Sequence, residues 1–134
     1  MAIRRRDFLA AGAMTITAFG VASPAFAQRG ADMYGLIGKM TTAPGKRDEV
    51  IAILVGVAAN MPGCLSYIVA KDTSDANSIW ITEAWKSQAS HEASLSLPSV
   101  KEAVAKARPL IAGFSDRSVT TPIGGHGLVL PNGR

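Results

Sequence analysis

The apolar positions of this chain repeat with either a strand or a helix period, and the two periods alternate along the sequence. Residues 33–41 alternate enough to predict a first strand, and residues 46–61 carry a helix-spaced stripe that ends at Pro62-Gly63. That stripe consists of Val50, Ile53, Leu54, Val57, Ala58 and Met61. Residues 64–70 and 78–85 then predict two strands of a hairpin, since a polar turn separates them.

The second half of the pattern predicts two helical pieces and a final strand. Ser87 is the expected N-cap of a helix that runs to about Leu97. Pro98 then begins a second piece with apolar residues at helix spacing to about residue 107. Residues 114–121 predict the last strand, and the Gly- and Pro-rich residues 122–134 predict a tail.

The resulting order, β-α-β-β-α-β, predicts an α+β fold of the ferredoxin-like kind. We expect a four-stranded antiparallel sheet with both helices on one face. The second and third predicted strands put apolar side chains on both faces of that sheet, with Tyr67 and Trp85 on one face and Ile68 and Trp80 on the other. Because a sheet that is apolar on both sides needs a second covering layer, we expect a homodimer.

Length and charge narrow the classes of protein that the chain can belong to. Its 134 residues allow one domain, which we expect over residues 28–121. The net charge is +4, but Arg4, Arg5 and Arg6 supply three of the positive charges, and 11 basic and 9 acidic residues remain after position 27. The remaining basic residues are scattered, so we expect no nucleic-acid partner.

Residues 1–27 have the three parts of a cleavable export signal. A cationic start is followed by a mildly apolar stretch and by Ala25-Phe26-Ala27, a step of the kind that signal peptidase accepts. Arg5-Arg6-Asp7-Phe8-Leu9 resembles the twin-arginine export signal. The apolar stretch of about 15 residues is shorter than the roughly 20 of a membrane-spanning helix. We therefore expect twin-arginine export to the bacterial periplasm or beyond, and a mature form without a membrane span.

Few residues in the sequence have metal-binding or redox chemistry. One cysteine and two separated histidines do not make a structural zinc or iron–sulfur site, so we expect no metal. Cys64 follows Pro62-Gly63 in an apolar run and has no second cysteine to pair with, which predicts an inert, buried thiol.

Three short motifs occur in order along the predicted elements. They are Thr41-Thr42-Ala43-Pro44-Gly45-Lys46, Pro62-Gly63-Cys64-Leu65-Ser66-Tyr67 and Glu83-Ala84-Trp85-Lys86-Ser87. Together they resemble the successive landmarks of the antibiotic biosynthesis monooxygenase family over about residues 33–121. The resemblance implies a dimeric α+β barrel. It also implies oxidation of a quinol or another electron-rich aromatic by O₂ with no cofactor, as in some members of that family.

The chain departs from the family's pattern at its histidines. Quinol-oxidising relatives often carry an Ala-His-Leu step on the second helix, where this chain has Ala93-Ser94-Leu95, and His91 lies one turn earlier. The resemblance also bears on haem-degrading members, whose asparagine, tryptophan and iron-binding histidine align with about Gly38, Ser94 and Val104. Haem degradation is therefore not expected.

His91 and Ser94 are the candidate catalytic residues. They lie three apart on a predicted helix, so their side chains can meet, and His91 would act as a base or proton relay in a pocket. A histidine at the solvent edge of an ordinary helix is the alternative. A Ser–His nucleophile pair is a third interpretation, but the chain has no nucleophile elbow and no evident orienting acid.

Tyr67, Trp80, Glu83 and Trp85 are the candidate substrate-binding residues. Tyr67 can hydrogen-bond to a substrate oxygen or pack across the hairpin, and either tryptophan can form the wall for a flat aromatic or belong to the core. Glu83 shares a face with Trp85, so it is either a structural ion pair or a base with a raised pKa. The suggested partners for the ion pair are Arg108 and Arg117.

Two functions are consistent with this sequence. The first is an exported monooxygenase-like enzyme that needs no cofactor and acts on a quinol or a similar aromatic with O₂. The second is a non-catalytic dimer of the same fold that binds a small ligand or has a stress-related role. An enclosed cavity lined by His91 and Ser94 would favour the enzyme.

Overall fold

The computed structural model describes residues 32–128 and 130, and the predicted leader over residues 1–27 lies outside them. Within this part of the chain no helix has the length and apolar character that crossing a membrane requires. A 3₁₀ turn, Arg108–Leu110, precedes the last strand. The other elements, in chain order, are β1 (Tyr34–Thr42), α1 (Arg47–Ala58), β2 (Cys64–Lys71), β3 (Ser78–Trp85), α2 (Gln88–Ser94), α3 (Pro98–Ala107) and β4 (Ile111–Thr120).

The four strands form one antiparallel sheet in the order β2-β3-β1-β4, and the helices pack on one of its faces. This is the ferredoxin-like arrangement, so the predicted fold class is confirmed. The hairpin of β2 and β3 is joined to β1 through β3, and β4 is an outer strand. The order places β1 in the middle of the structure, with β3 on one side and β4 on the other.

The ends of the elements differ from the prediction by three residues at three places and by one residue at several others. α1 ends at Ala58 and not at residue 61, since the proline at 62 disfavours helical geometry in the residue before it. α2 has the predicted cap, in which the Ser87 hydroxyl accepts a hydrogen bond from the Ser90 N–H at 3.1 Å, but ends at Ser94. β4 begins at Ile111 because its first residues, including a glycine tolerated at the outer strand, already pair with β1.

The innermost core lies between the sheet and α1. Met40 of β1, Val50 of α1 and Ile79 of β3 are buried together, and Val50 and Ile79 are fully inaccessible to solvent. Burial of each such side chain stabilises the fold by about 1.5–3 kcal/mol. The contact fixes the helix layer against one face of the sheet and leaves the other face without helices.

The turn between β2 and β3 is held by the carboxylate of Asp72. One oxygen accepts hydrogen bonds from the backbone N–H groups of Ser74 at 2.7 Å and Asp75 at 2.9 Å. The other accepts from the Trp80 indole N–H at 2.8 Å and lies 3.1 Å from the Lys39 ammonium. The backbone and side-chain hydrogen bonds, together with the Lys39 pair, hold the pKa of Asp72 well below its usual range.

Replacement of Asp72 by asparagine is predicted to destabilise the protein in a pH-dependent way. Because the pKa of Asp72 is lowered by folding, its charge stabilises the fold above the unfolded-state pKa of about 4. That contribution is lost as the pH falls from there toward the folded-state pKa. Urea unfolding should therefore show a lower stability for Asp72→Asn at pH 7 and a smaller difference from wild type at pH 3.

Glu102→Gln is the control, since its partner Lys106 lies on the exposed surface of α3. We expect that variant to change the free energy of unfolding little at either pH. An Asp72→Asn difference of equal size at pH 7 and pH 3 would contradict the assignment of this carboxylate.

Candidate active site

A cavity of about 830 Å³ lies between the sheet and the helix layer. Its walls are mainly apolar and come from all four strands, the three α-helices and the 3₁₀ turn before β4. Representative lining residues are Leu36, Met40, Leu54, Ile81, Val100 and Ala103. The cavity is large enough for a ligand of a few fused rings.

Strand alternation decides which β3 side chains reach this cavity. Glu83 and Trp85 lie on the helix side and line it, together with Tyr67 from the neighbouring strand. Trp80 lies on the opposite face, where its indole N–H is bonded to Asp72. Its prediction as a substrate-binding residue is therefore wrong for this cavity, because it lies an odd number of positions from Trp85 along the strand.

Glu83 is held by an indole, and the predicted arginine partners do not bind it. Trp85, only 1% exposed, donates its Nε1–H to Glu83 Oε2 at 2.8 Å. The same oxygen lies 3.8 Å from Nε2 of His91. In the described part of the chain neither Arg108 nor Arg117 forms an ion pair with this carboxylate, although both line the cavity. Glu83 is thus the acidic neighbour of His91.

His91 lies between two aromatic rings at this end of the cavity. Its ring centroid is 5.3 Å from that of Tyr34, tilted by 39°, and 5.3 Å from that of Trp85, nearly edge-on at 73°. The His91 side chain is 14% exposed, so its environment is largely enclosed. The separation of 3.8 Å from Glu83 is too long for a hydrogen bond. A protonated imidazole would form an ion pair with that carboxylate.

Ser94 lines the cavity, but its hydroxyl is committed to the helix backbone. It is 4% exposed and donates to the backbone carbonyl of His91 at 2.6 Å. The predicted meeting of the Ser94 and His91 side chains is replaced by this bond to the preceding turn. The Ser–His nucleophile arrangement is therefore not present in this conformation.

Tyr67 brings a phenol to the same wall as Glu83, its cross-strand partner. Burial, and next the nearby charge of Glu83, raise the pKa of Tyr67 well above its usual value. Its hydroxyl therefore keeps its proton at physiological pH and can donate a hydrogen bond to a ligand.

Cys64 lies near this end of the cavity but does not line it. Its half-buried thiol donates to the Ser66 carbonyl at 3.6 Å, and burial raises the pKa of the thiol. A thiol in that protonated form is a weak nucleophile and a weak metal ligand.

The arrangement concentrates polar chemistry at one end of an apolar space. Tyr67, Glu83 and His91 line this end and supply a phenol, a carboxylate and an imidazole, and Tyr34, which does not line the cavity, packs against the His91 ring. Over residues 32–128 and 130, histidine, cysteine and carboxylate side chains do not cluster in threes as a metal ion would need. Such a site can accept a proton from an aromatic hydroxyl and hold the resulting charges.

Comparison with known protein families shows that residues 33–106 match the family described as antibiotic biosynthesis monooxygenase. A solved structure from Chloroflexus aurantiacus, assigned to the antibiotic biosynthesis monooxygenases, is 61% identical to this chain. It matches with a TM-score of 0.70 over 72% of this chain and 98% of its own. The resemblance inferred from the three motifs is confirmed.

More distant solved structures share the fold. A Caulobacter crescentus protein is 21% identical with a TM-score of 0.63, over 70% of this chain and 92% of its own. SnoaB, a cofactor-independent oxygenase from Streptomyces nogalater, is 18% identical with a TM-score of 0.58, over 72% of this chain and 98% of its own. No match was found among curated protein sequences.

Two features of the site were missed by sequence reasoning. Tyr34 lies at the start of β1 and belongs to no motif. Its contact with the His91 ring could not be predicted, because it depends on the pairing Tyr34↔Trp85. Glu83 as the acid next to His91 was missed as well. A signal existed in the spacing, since Glu83 and Trp85 share a face and the chain turns directly into α2.

The bond between Trp85 and Glu83 is predicted to stabilise the fold measurably. A double-mutant cycle of Trp85→Phe, Glu83→Ala and both together should give a coupling energy of about 1.5 kcal/mol or more, because the indole donates to an ionised group. The measurement is urea unfolding at pH 7. Additivity of the two single changes within about 0.5 kcal/mol would contradict the contact.

Proposed function

The chain belongs to the antibiotic biosynthesis monooxygenase family, and we propose that it is an enzyme that oxidises a quinol or another electron-rich aromatic with O₂ without a cofactor. The family and its fold support a monooxygenase-like kind of protein that handles a small molecule. The observation that carries the narrower proposal is the pairing of His91 and Glu83 at a polar end of an apolar cavity.

The proposed reaction requires no external reductant. A quinol and O₂ give a hydroxyquinone and water: one oxygen atom forms a bond to a ring carbon, and the other leaves as water. The quinol supplies all four electrons that reduce O₂. The task left to the protein is to remove the phenolic proton, because the phenolate transfers electrons to O₂ far more readily than the phenol does.

His91 is the proposed proton acceptor. Its ring lines the cavity, and its Nε2, 3.8 Å from Glu83, has no hydrogen bond to the described protein residues, so it would accept the proton of a substrate hydroxyl bound there. Once protonated, the imidazolium would be stabilised by the Glu83 carboxylate, which Trp85 holds in place. Proton transfer to a positioned histidine contributes typically about 10²–10⁴-fold to a rate.

Tyr67 and the aromatic rings have supporting roles in this proposal. The protonated phenol of Tyr67 would donate a hydrogen bond to the second substrate oxygen, and Trp85 would pack against the substrate ring, while Tyr34 would hold the His91 ring in place. Ser94 would position His91 through its bond to the His91 carbonyl and would not act on the substrate itself. The apolar walls would exclude bulk water from the phenolate.

We also propose that the protein works as an exported homodimer. Export rests on the twin-arginine-like leader of residues 1–27. The dimer rests on the helix-free sheet face, where Ile68 is 56% exposed beside the half-buried Trp80 and Ile37. An apolar face of this kind is typical of a sheet that packs against another layer.

The catalytic proposal predicts oxygen uptake that depends on His91. Purified protein should consume O₂ with a naphthoquinol or hydroxyanthrone, saturably and above the protein-free autoxidation rate. His91→Ala should lower kcat at least about 100-fold, because the proton acceptor is lost. An oxygen electrode with a panel of both substrate types gives the measurement.

His126→Ala is the matched control, since His126 is exposed and lies outside the cavity lining. It should retain the wild-type rate. Uptake no faster than autoxidation across the panel would overturn the enzymatic proposal and favour a dimer that binds a small ligand.

The dimer proposal predicts that a charge at Ile68 separates the two copies. Ile68→Asp should shift the mass measured by light scattering from that of two chains to that of one, since an unpaired carboxylate is costly at an apolar interface. Val55→Asp is the control, because Val55 is equally exposed but lies on α1. A single-chain mass for the wild type would refute the dimer.

A further inference from the structure

β4 contains an irregularity directly beside the cavity. Between the pairs Ile37↔Ser118 and Lys39↔Ser115, β1 has the single residue Gly38, whereas β4 has both Asp116 and Arg117. Asp116 has a φ of 50°, a left-handed conformation that is uncommon for residues other than glycine. Two residues opposite one define a β-bulge, and bulges often re-aim a side chain next to an active site.

The bulge decides which face Arg117 occupies. Phe114 pairs with Met40, and Val119 pairs with Leu36, so both lie on the cavity side of the sheet. Counted back from Val119, strand alternation puts Arg117 on that same side. Counted forward from Phe114 without an extra residue, Arg117 would lie on the helix-free face. The inserted residue thus turns an arginine to the cavity, which it lines.

Gly38 leaves space opposite the bulge. It lines the cavity, and a Cβ atom built on it would meet no other atom within 4 Å. Since its φ is not positive, no backbone conformation requires glycine there. The absence of a side chain at this position therefore keeps the cavity open next to Arg117.

The positive charge of Arg117, beside Gly38, has no carboxylate partner among the described residues. In the described part of the chain neither Arg117 nor Arg108, which also lines the cavity, has a carboxylate within ion-pair distance. The other cation among the lining residues, Lys39, is bound by Asp72. Both arginines are exposed, so they lie where the cavity opens to solvent. Phe114 lines the same opening and is 73% exposed.

The distance between the polar region at Glu83 and the one at Arg117 matches the length of a small aromatic molecule. Glu83 lies on β3 and Arg117 on β4, and β1 separates these strands. Two inter-strand spacings make about 10 Å between the backbones. A two-ring aromatic with a hydroxyl at one end and an anionic group at the other has comparable length.

We propose that Arg117, supported by Arg108, forms an anion subsite at the cavity opening, so that the preferred ligand is an aromatic hydroxy acid. The inference rests on the proposed aromatic substrate and adds a carboxylate to it. The guanidinium suits a carboxylate because it donates two parallel N–H groups. The open space beside Gly38 admits that group, and Phe114 contacts the adjacent ring.

The test compares two ligands that differ in the carboxylate. Isothermal titration of the protein with 6-hydroxy-2-naphthoate and with 2-naphthol, both without O₂, should give a Kd at least about tenfold lower for the acid, whose hydroxyl and carboxylate lie at opposite ends of the ring pair. Arg117→Gln should reduce this preference to about twofold or less, and Arg117→Lys should restore part of it. Charge-assisted hydrogen bonds justify the expected size.

Lys101→Gln removes the same charge from the exposed face of α3, outside the cavity lining, and should keep the wild-type preference. Equal affinities for the two ligands in wild type would overturn the subsite. An unchanged preference for the acid in Arg117→Gln would overturn it as well. This holds also if the variant changes the mass of the assembly, a result that would place Arg117 at a contact with a second copy.

Because no turnover is needed, this result is separable from the catalytic proposal. If the protein oxidises neutral quinols but shows no preference for the acid, only the anion-subsite proposal is overturned. If the protein prefers the acid but consumes no O₂, the anion-subsite proposal stands and the catalytic proposal is overturned.

Discussion

The candidate site depends on one carboxylate that is held against an apolar wall. Trp85 fills the interior at the end of β3 and uses the only polar atom of its side chain to donate a hydrogen bond to Glu83. Without that donor the carboxylate would turn toward solvent, since burying an unpaired charge is costly. Its position 3.8 Å from His91 gives the imidazole an acidic neighbour inside the cavity. The other polar groups of the site are arranged around this pair.

The sheet gives the cavity two ends with different chemistry. Regular alternation on β3 puts Glu83 and Trp85 toward the helices and sends Trp80 to the other face, where Asp72 binds it. On β4 the bulge interrupts alternation and turns Arg117 to the cavity. β3 therefore forms its part of the site through regular side-chain alternation, whereas β4 forms its part through the bulge that interrupts this alternation. The same sheet leaves an apolar face without helices, which is the surface expected to pair with a second copy.

Much of the fold follows from local patterns, whereas the partners within the site do not. The bounds of β3 and the Ser87 cap agree with the prediction, because turn residues and side-chain period mark them sharply. Tyr34 and His91 are far apart in sequence, and only the strand register brings them together. The bulge at Asp116 was not predicted, since nothing in the local pattern distinguishes it from an ordinary strand. The arginine partners suggested for Glu83 were wrong, because the sequence does not show which side chains the fold places beside this carboxylate.

The central claim is that this cavity directs an oxygen atom from O₂ into an aromatic ring. The most direct measurement is mass spectrometry of the product formed from a naphthoquinol under ¹⁸O₂. The account predicts one labelled oxygen atom in the hydroxyquinone at early times, and a large fall in the amount of this labelled product with His91→Ala. A product that carries no label, or hydrogen peroxide formed in equal amount to the quinone, would contradict it.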